Sequence, residues 1–138
     1  MTGPEKKFYL ALKRNFPTWV WQRIEDSVSS GIPDCLVLAR DDGYSWNDKF
    51  QWITIELKAQ PHTNVQIRSS QIAWHIKAVG GNSWILNMDP KLKSVTGWKF
   101  PFMFEPGRKG HAKILSEPNL ISPSVLALRK DDFINPNH

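Results

Sequence analysis

The sequence predicts an α/β fold in which a mixed central β-sheet is flanked by helices. Residues 35–39 are a short apolar run entered through a proline, and residues 50–57 are rich in β-branched and aromatic side chains, as strands are. A polar segment with an Asp-Asp-Gly turn signal joins the two runs, which favours antiparallel pairing. A helix capped by Ser69 or Ser70, with Ile72, Ile76 and Val79 as its apolar stripe, is predicted ahead of a strand-like run at residues 83–87. A helix between two strands indicates a parallel crossover, hence a sheet of mixed direction.

A helix and a strand are predicted ahead of this unit. Residues 4–15 carry Phe8, Ala11 and Leu12 at the spacing of one helical face, with a proline in the first turn. A second proline ends that helix, and residues 19–25 alternate in the manner of a first strand. The resulting order is helix, three strands, helix, strand.

Length, charge and cysteine content narrow the class of protein. The 138 residues suit a single domain over residues 1–138, with a core at about 4–87 and a C-terminal extension at 88–138. A net charge of +5 and a pI near 9.5 favour a polyanionic partner such as nucleic acid. The single cysteine, Cys35, excludes an intrachain disulfide and is expected in the core. With no apolar signal region and no membrane-length apolar run, a cytoplasmic protein without membrane contact is expected.

Three charged side chains are expected at the end of the strand over residues 50–57. Glu56 and Lys58 are two residues apart and share one face, while Leu57 points to the apolar face. Asp34 comes immediately before the neighbouring strand, so its carboxylate is expected to lie beside that of Glu56. Mg²⁺ prefers oxygen ligands and commonly takes one or two carboxylates, with water and phosphate completing its shell. We therefore expect Asp34, Glu56 and the Leu57 carbonyl to hold Mg²⁺ or Mn²⁺, and Lys58 to contact the attacking water or a phosphate oxygen.

The order of these residues resembles the PD-(D/E)XK nuclease superfamily. The chain shows Gly31-Ile32-Pro33-Asp34, a strand, Glu56-Leu57-Lys58, and then Arg68-Ser69-Ser70-Gln71 opening a helix. This series is similar to the pattern of the VRR-Nuc and Holliday-junction-resolvase-like branches, many of whose members are carried by phages. The resemblance implies a restriction-endonuclease-like α-β-β-β-α-β core, metal-dependent cleavage of DNA, and a host cytoplasm as the location if a phage encodes the chain.

The resemblance also implies roles for residues around this centre. Glu5 matches a glutamate of the first helix that reaches toward the metal, although an acidic first turn also suits the helix dipole. Gln71 matches the family's metal-site glutamine, which contacts water or phosphate. Arg23 corresponds to a basic residue that faces the substrate, and Gly31 allows close approach of the chain to the phosphate. The candidate nucleic-acid contacts are Lys6, Arg23, Arg68 and Ser70.

Outside the motif the sequence is less specific. Residues 59–67 are expected to be a substrate-contacting loop in which His62 is solvated. Between positions 91 and 104, lysines alternate with aromatic residues. This pattern is typical either of a surface that binds nucleic acid or of a C-terminal segment that covers the sheet. Pro101 indicates that this aromatic run is an edge strand or a loop and not a central strand. Residues 107–111 read as a basic turn suited to backbone contact, and residues 122–132 predict a last short helix with Val125 and Leu128 facing inward.

More than one function fits this pattern. A metal-dependent DNA endonuclease acting on branched, Holliday-junction or flap DNA accounts for the ordered motif, and symmetric junction cutting needs two sites, hence a homodimer. A non-catalytic nucleic-acid-binding module on the same fold is the alternative, as is a restriction-like or exonucleolytic enzyme. In the plainest interpretation, Asp34 is a solvated turn residue, and Glu56 and Lys58 form a surface pair on an edge strand.

Overall fold

The computed structural model describes residues 3–24, 32–40, 50–78 and 81–134. Within these ranges the elements, in chain order, are α1 (Gly3–Asn15), β1 (Val20–Arg23), β2 (Cys35–Arg40), β3 (Phe50–Lys58), β4 (Gln66–Arg68), α2 (Ser69–Lys77), β5 (Asn82–Met88), β6 (Val95–Lys99), β7 (Phe104–Pro106), β8 (His111–Ile114) and β9 (Leu120–Ser122), with 3-10 turns at His62–Asn64 and Lys130–Asp132. Gly31 of the motif and the polar loop at residues 41–49 lie outside the described residues. Neither of the described helices has the length and apolar character that spanning a membrane requires.

Six strands form the central sheet in the order β1-β2-β3-β5-β6-β9. β3 and β5 run parallel, with Glu56 opposite Ile85 and Lys58 opposite Asn87, whereas the other neighbouring pairs are antiparallel. α2 lies in the chain between β3 and β5. The predicted mixed sheet is therefore confirmed, as is the α-β-β-β-α-β order, with the short β4 inserted ahead of α2.

Helix α1 covers one face of this sheet. It buries Phe8, Tyr9 and Leu12, and Ala11 packs against the same cluster, so the predicted stripe is confirmed and Tyr9 joins it. The sheet contributes alternate residues of β2 and β3, namely Cys35, Val37, Ala39, Ile53, Ile55 and Leu57. Burying each large apolar side chain contributes about 1.5–3 kcal/mol. Because strand residues alternate, this core forces Glu56 and Lys58 to project from the opposite face.

A small three-stranded sheet and α2 cover part of that opposite face. Strands β4, β8 and β7 pair antiparallel in that order. With α2 and the central sheet they enclose a second core cluster, made of Val65, Ile67, Ile72, Ile85, Trp98, Phe102, Ala112 and Ile114. Since Ile85 lies opposite Glu56 in the parallel register, this cluster borders the strand end that carries the charged residues.

The predicted apolar stripe of α2 is wrong. Ile72 is buried, but Ile76 is 52% exposed, and Val79 lies outside the described residues. The helix instead buries Gln71 and His75 with Ile72. α2 buries His75 because this side chain packs against the rings of Phe100 and Phe102, which come from the connection after β6. A side chain supplied from a distant segment thus decides which face of this short helix is inside.

Two predictions about segments beyond the motif also need correction. Residues 59–67 are not an open loop, because they contain a 3-10 turn and reach into β4, whose Ile67 is fully buried. Residues 122–132 are not a helix: the chain leaves β9, which pairs with β6, and makes separate turns that bury Val125 and Leu128 as expected. The aromatic run around Pro101 is loop and edge strand as predicted except at its start, because the inner strand β6 ends two residues before Pro101 and β7 lies at the edge of the three-stranded sheet.

Candidate active site

Strand β3 places the side chains of Glu56 and Lys58 next to each other on the face of the central sheet opposite α1. Leu57 is fully buried in the α1 core, while Glu56 is only 4% exposed on the other side. Lys58 Nζ lies 3.8 Å from Glu56 Oε1. The pair sits at the end of an inner strand and is largely screened from water. It is therefore not the exposed pair on an edge strand that the plainest interpretation of the sequence requires.

Asp34 reaches the same strand end from the start of β2. Its Oδ2 accepts a 2.9 Å hydrogen bond from the backbone N–H of Leu57, and its carbonyl accepts one of 2.8 Å from Ile24 N. The first bond fixes the Asp34 carboxyl next to the residue that follows Glu56. Two acids 22 positions apart in the sequence thus lie side by side, because β2 and β3 are paired neighbours.

The Glu56 carboxyl is in an environment that disfavours its charged form. Burial, and next the charge of Asp34, raise the pKa of Glu56 to about 8, while Lys58 and Arg68 act in the opposite direction. A side-chain contact with the Asp34 carboxyl is part of the same upward shift of the Glu56 pKa. Among the described groups, Oε2 of Glu56 has no hydrogen-bond partner of acceptable geometry. A buried, unsatisfied carboxylate oxygen beside a second carboxylate is a site that a cation would stabilise.

Gln71 joins these groups to α2. The residue is 1% exposed, and its Nε2 donates a 2.6 Å hydrogen bond to Glu56 Oε1. Its Oε1 accepts hydrogen bonds from Lys58 Nζ at 3.1 Å and from the Arg68 backbone N–H at 2.9 Å. The amide orientation is therefore set by its partners, since the oxygen faces two donors and the nitrogen faces a carboxylate. The expected serine cap is absent here, because Arg68 occupies the N-cap position and Gln71 satisfies its N–H.

The remaining predicted site residues belong to β1, β4, α2 and α1. Arg23 pairs in register with Cys35, beside Asp34, and its guanidinium carbon lies 5.8 Å from the Tyr9 ring centroid. Arg68 is exposed, and its charge lowers the pKa of Glu56. Ser70 is half-buried in the first turn of α2. The partly buried Glu5 and the exposed Lys6 begin α1, which packs on the other face of the sheet, and their roles stay predictions.

Cys35 is not a candidate nucleophile. It is fully buried in the α1 core, as expected, and burial, followed by the nearby Asp34 and Glu56 charges, raises the pKa of its thiol to about 12. A thiol that resists ionisation is a poor nucleophile.

Sequence reasoning missed a polar network next to the site. His62 is not solvated: its Nε2 lies 2.8 Å from Ser94 Oγ, and its Nδ1 lies 3.0 Å from Asn87 Nδ2. Because an amide nitrogen only donates, Nδ1 must accept, so the ring proton sits on Nε2 and points to Ser94. Asn87 also bonds both backbone groups of Gln60, and it stands opposite Lys58 in the sheet. The network therefore ties the chain leaving β3 to the end of β5.

No local signal in the sequence marks that network, since its members are ordinary polar residues up to 34 positions apart. Asp89 belongs to it as well, accepting hydrogen bonds from the backbone N–H groups of Lys91, Leu92 and His62. The bonds from Leu92 and Lys91 are the main cause that lowers the pKa of Asp89. These contacts use both carboxylate oxygens of Asp89 to position the loop.

The donor set at the end of β3 fits a hard divalent cation. Within the described ranges no group of three or more His, Cys, Asp or Glu side chains is arranged to hold a metal, which argues against a structural zinc site there. Two carboxylates suffice for Mg²⁺ or Mn²⁺, whose remaining positions are filled by water and substrate oxygens. Asp34 and Glu56 are the residues that would supply those carboxylates, and the Leu57 carbonyl stays the expected third ligand.

With this geometry established, the fold can be compared with those of known proteins. No protein-family model matches the sequence, and no curated protein matches it either. The mixed sheet with its two helices has the resolvase and restriction-endonuclease-like fold. A solved structure that shares it is that of Hjc, a Holliday junction resolvase from the archaeal hyperthermophile Archaeoglobus fulgidus. The match has a TM-score of 0.51 at 15% sequence identity, over 91% of this chain and 96% of Hjc.

Proposed function

We propose that the protein is a metal-dependent nuclease that hydrolyses phosphodiester bonds in DNA. The observation that carries this proposal is the buried Glu56 carboxyl, which meets Asp34 on one side and the Gln71 amide and Lys58 ammonium on the other. Residues that served only to stabilise the fold would not leave a carboxylate oxygen buried without a hydrogen-bond partner, because that costs free energy. The site also lies in a fold shared with a resolvase.

In this mechanism Asp34 and Glu56 would hold Mg²⁺ or Mn²⁺, with the Leu57 carbonyl as a further ligand. When bound, the cation would supply an acidified water and would neutralise charge on the scissile phosphate. Lys58 donates a hydrogen bond from Nζ to the attacking water or to a phosphate oxygen, as a point charge. Gln71 holds Lys58 and Glu56 at fixed distances from each other. No residue of the cluster is placed as a covalent nucleophile, so water attacks directly.

The substrate we propose is branched DNA, namely a Holliday junction or a flap, cut as an endonuclease. Two observations support this choice: the fold is shared with a Holliday junction resolvase, and the chain is basic, with a net charge of +5. A host or cellular cytoplasm is where such an enzyme meets its DNA. Restriction-like or exonucleolytic cutting would use the same site and differ in the DNA that is bound.

We further propose a homodimer, because two strands of a symmetric junction require two active sites. One sheet face supports this assembly: Val20, Leu38 and Trp52 lie opposite one another across β1, β2 and β3. Val20 is 51% exposed and Trp52 is 52% exposed, with Phe50 at 61% beside them. Apolar side chains exposed in one row are suited to contact with a second copy of the chain.

The deciding experiment is cleavage of labelled four-way junction, flap, duplex and single-stranded DNA with Mg²⁺, with Mn²⁺, and with EDTA. We expect cutting of the branched substrates only when a divalent cation is present. Glu56→Gln removes the charge of the buried carboxylate, and Glu117→Gln is the matched control, because Glu117 is exposed. Binding without cleavage of any substrate by the wild-type chain would instead identify a nucleic-acid-binding module.

A further inference from the structure

One face of the small three-stranded sheet is strongly basic. In β4 and β8 the side chains of Ile67, Ala112 and Ile114 point into the second core cluster. The alternate residues of those strands therefore point outward, and the register places Arg68 opposite His111 and Gln66 opposite Lys113. The outward face continues into the turn between β7 and β8, where Arg108 and Lys109 are exposed. We call Arg68, Arg108, Lys109 and Lys113, with His111 among them, the basic face.

The basic face surrounds a concave surface. A depression of about 490 Å³ is lined by Gln66, Glu105, Arg108, Lys109, His111 and Lys113, among others. Within this described surface, Glu105 is the one acidic lining residue, and it stands opposite Lys113 in the sheet. An excess of cations in a concavity concentrates positive potential and attracts a polyanion.

The turn that carries Arg108 and Lys109 has a closed conformation. His111 N donates to Arg108 O at 3.0 Å, and Gly107 N donates to His111 O at 2.7 Å. Lys109 has φ 51° and Gly110 has φ 75°, so both residues adopt the left-handed conformation that closes a tight turn. These bonds hold the two basic residues beside the strands that carry the rest of the face.

The basic face is also attached to the active site. Ser69 N donates a 2.7 Å hydrogen bond to Gly110 O, which joins the hairpin turn to the first residue of α2. Two residues later, the Gln71 side chain bonds both Glu56 Oε1 and the backbone N–H of Arg68. A nucleic acid lying along the basic face would therefore have a fixed position relative to Asp34 and Glu56.

We propose that the basic face binds the sugar–phosphate backbone of a DNA duplex arm that leads into the active site. This inference rests on the proposed nuclease function and adds where its substrate lies. Lysine and arginine contacts to phosphates give affinity and orientation without sequence information. Single-strand grooves add aromatic side chains on which bases stack, but the outward residues described on this face are Gln66, Arg68, Glu105, His111 and Lys113, with no Phe, Tyr or Trp. The face is thus suited to a paired backbone.

The test compares two variants that each lose three positive charges. The first carries Arg108→Gln, Lys109→Asn and Lys113→Gln, where asparagine is chosen because it tolerates the positive φ at position 109. The control carries Lys7→Gln, Lys13→Gln and Arg14→Gln on the exposed side of α1, which packs against the other face of the central sheet. Both are measured beside the wild-type chain for binding of a labelled DNA duplex and of a labelled single strand, in EDTA across a salt series, and thermal melting confirms that both fold. A single Lys113→Gln variant is added as a milder change.

Log affinity for DNA decreases with log salt. For a basic face that binds phosphates, the magnitude of this negative slope is smaller by about 0.9 for each phosphate that is no longer neutralised, and so by about 2–3 for the triple variant. The α1 control keeps the wild-type slope. If both triple variants keep that slope while the wild-type chain cuts DNA with Mg²⁺, the inference is overturned and the nuclease proposal stands. If the wild-type chain cuts nothing but the basic-face variant alone has a reduced slope, the nuclease proposal fails and the binding surface stands. A reduced slope with single-stranded DNA only would also overturn the assignment to a duplex.

Discussion

Gln71 Nε2 donates a 2.6 Å hydrogen bond to Glu56 Oε1, and this bond joins the first turn of α2 to the end of β3. The two residues are 15 positions apart and both are almost completely buried. Because the same amide oxygen accepts a hydrogen bond from Lys58 Nζ, the contact sets the separation of the carboxylate and the ammonium. Substitutions of the groups that this bond connects should therefore change cleavage, stability or both.

Removing either carboxylate should abolish cleavage while DNA binding persists. For Asp34→Ala and Glu56→Gln we expect cleavage to fall by about 10³-fold or more, since the cation would lose one of its two carboxylate ligands. Calorimetric titration with Mn²⁺ provides a second measurement, in which both variants should bind the ion more weakly than wild type. Glu117→Gln should match the wild-type chain in both assays. Wild-type cleavage by Glu56→Gln with Mg²⁺ present would show that the site assignment is wrong.

Lys58→Ala should reduce the cleavage rate by about 10²–10³-fold, the effect typical of losing one preorganised donor. Its affinity for Mn²⁺ should change little, because an ammonium is not a metal ligand. Lys58→Arg should not restore the rate, since a planar guanidinium does not replace a point charge at a half-buried position. Single-turnover cleavage measures the rate. A Lys58→Ala rate equal to wild type would remove Lys58 from the mechanism.

Gln71→Leu should destabilise the fold as well as the site. The change leaves the Arg68 N–H, the Lys58 ammonium and the Glu56 carboxyl without their shared partner, which we expect to cost about 2–4 kcal/mol. Urea unfolding followed by circular dichroism measures the free energy of unfolding. Gln51→Leu is the control, because Gln51 is exposed in β3. A destabilisation smaller than that of the control would mean that the buried amide contributes little.

His75 should make stability fall in mild acid. Burial among Phe100, Phe102 and Trp74 lowers the pKa of its imidazole to about 4, and neither ring nitrogen has a hydrogen-bond partner in the described part of the chain. The unfolded chain binds a proton near pH 6.5 and the folded one only near pH 4, so stability present above pH 6.5 is lost as the pH falls toward 4. The contribution is at most about 3.5 kcal/mol, at about 1.4 kcal/mol for each pKa unit.

The measurement for His75 is the free energy of unfolding between pH 4 and 7 for the wild-type chain and for His75→Leu. Glu56 acts with the opposite sign, because its pKa is raised from 4.5 to about 8, so its stabilisation is lost as the pH rises through that range. Both chains keep Glu56, and the difference between their curves isolates His75. A difference that does not change with pH would contradict the prediction.

The exposed sheet face should mediate self-association. Light scattering should give the wild-type chain twice its 15.9 kDa mass, and Val20→Ser with Trp52→Ser should give the single mass. The control pair, Leu92→Ser and Leu126→Ser, removes two exposed leucines from other surfaces and should remain dimeric. A monomeric wild-type chain at micromolar concentration would exclude this interface.

Where prediction from the sequence succeeded, it used patterns contained within one element. The apolar spacing of α1 gave its buried face, and the two-residue period of β3 put Glu56 and Lys58 opposite Leu57. The turn signal between β2 and β3 gave their antiparallel pairing. Prediction failed for residues 122–132 and for the stripe of α2, where partners from distant parts of the chain decide the outcome.

From α1 to β5 the sequence by itself determined the order of the elements apart from the short β4. It also determined the mixed sheet and the sharing of one strand face by Glu56 and Lys58, because alternation and helical spacing follow from backbone geometry alone. Only the tertiary structure decided that Asp34 is bonded to Leu57 N, that Gln71 is buried between Glu56 and Lys58, and that His62 is held by Asn87 and Ser94. Each of these contacts joins segments 13 or more residues apart. Their geometry depends on how sheets and helices pack together, and no local pattern in the chain encodes that packing.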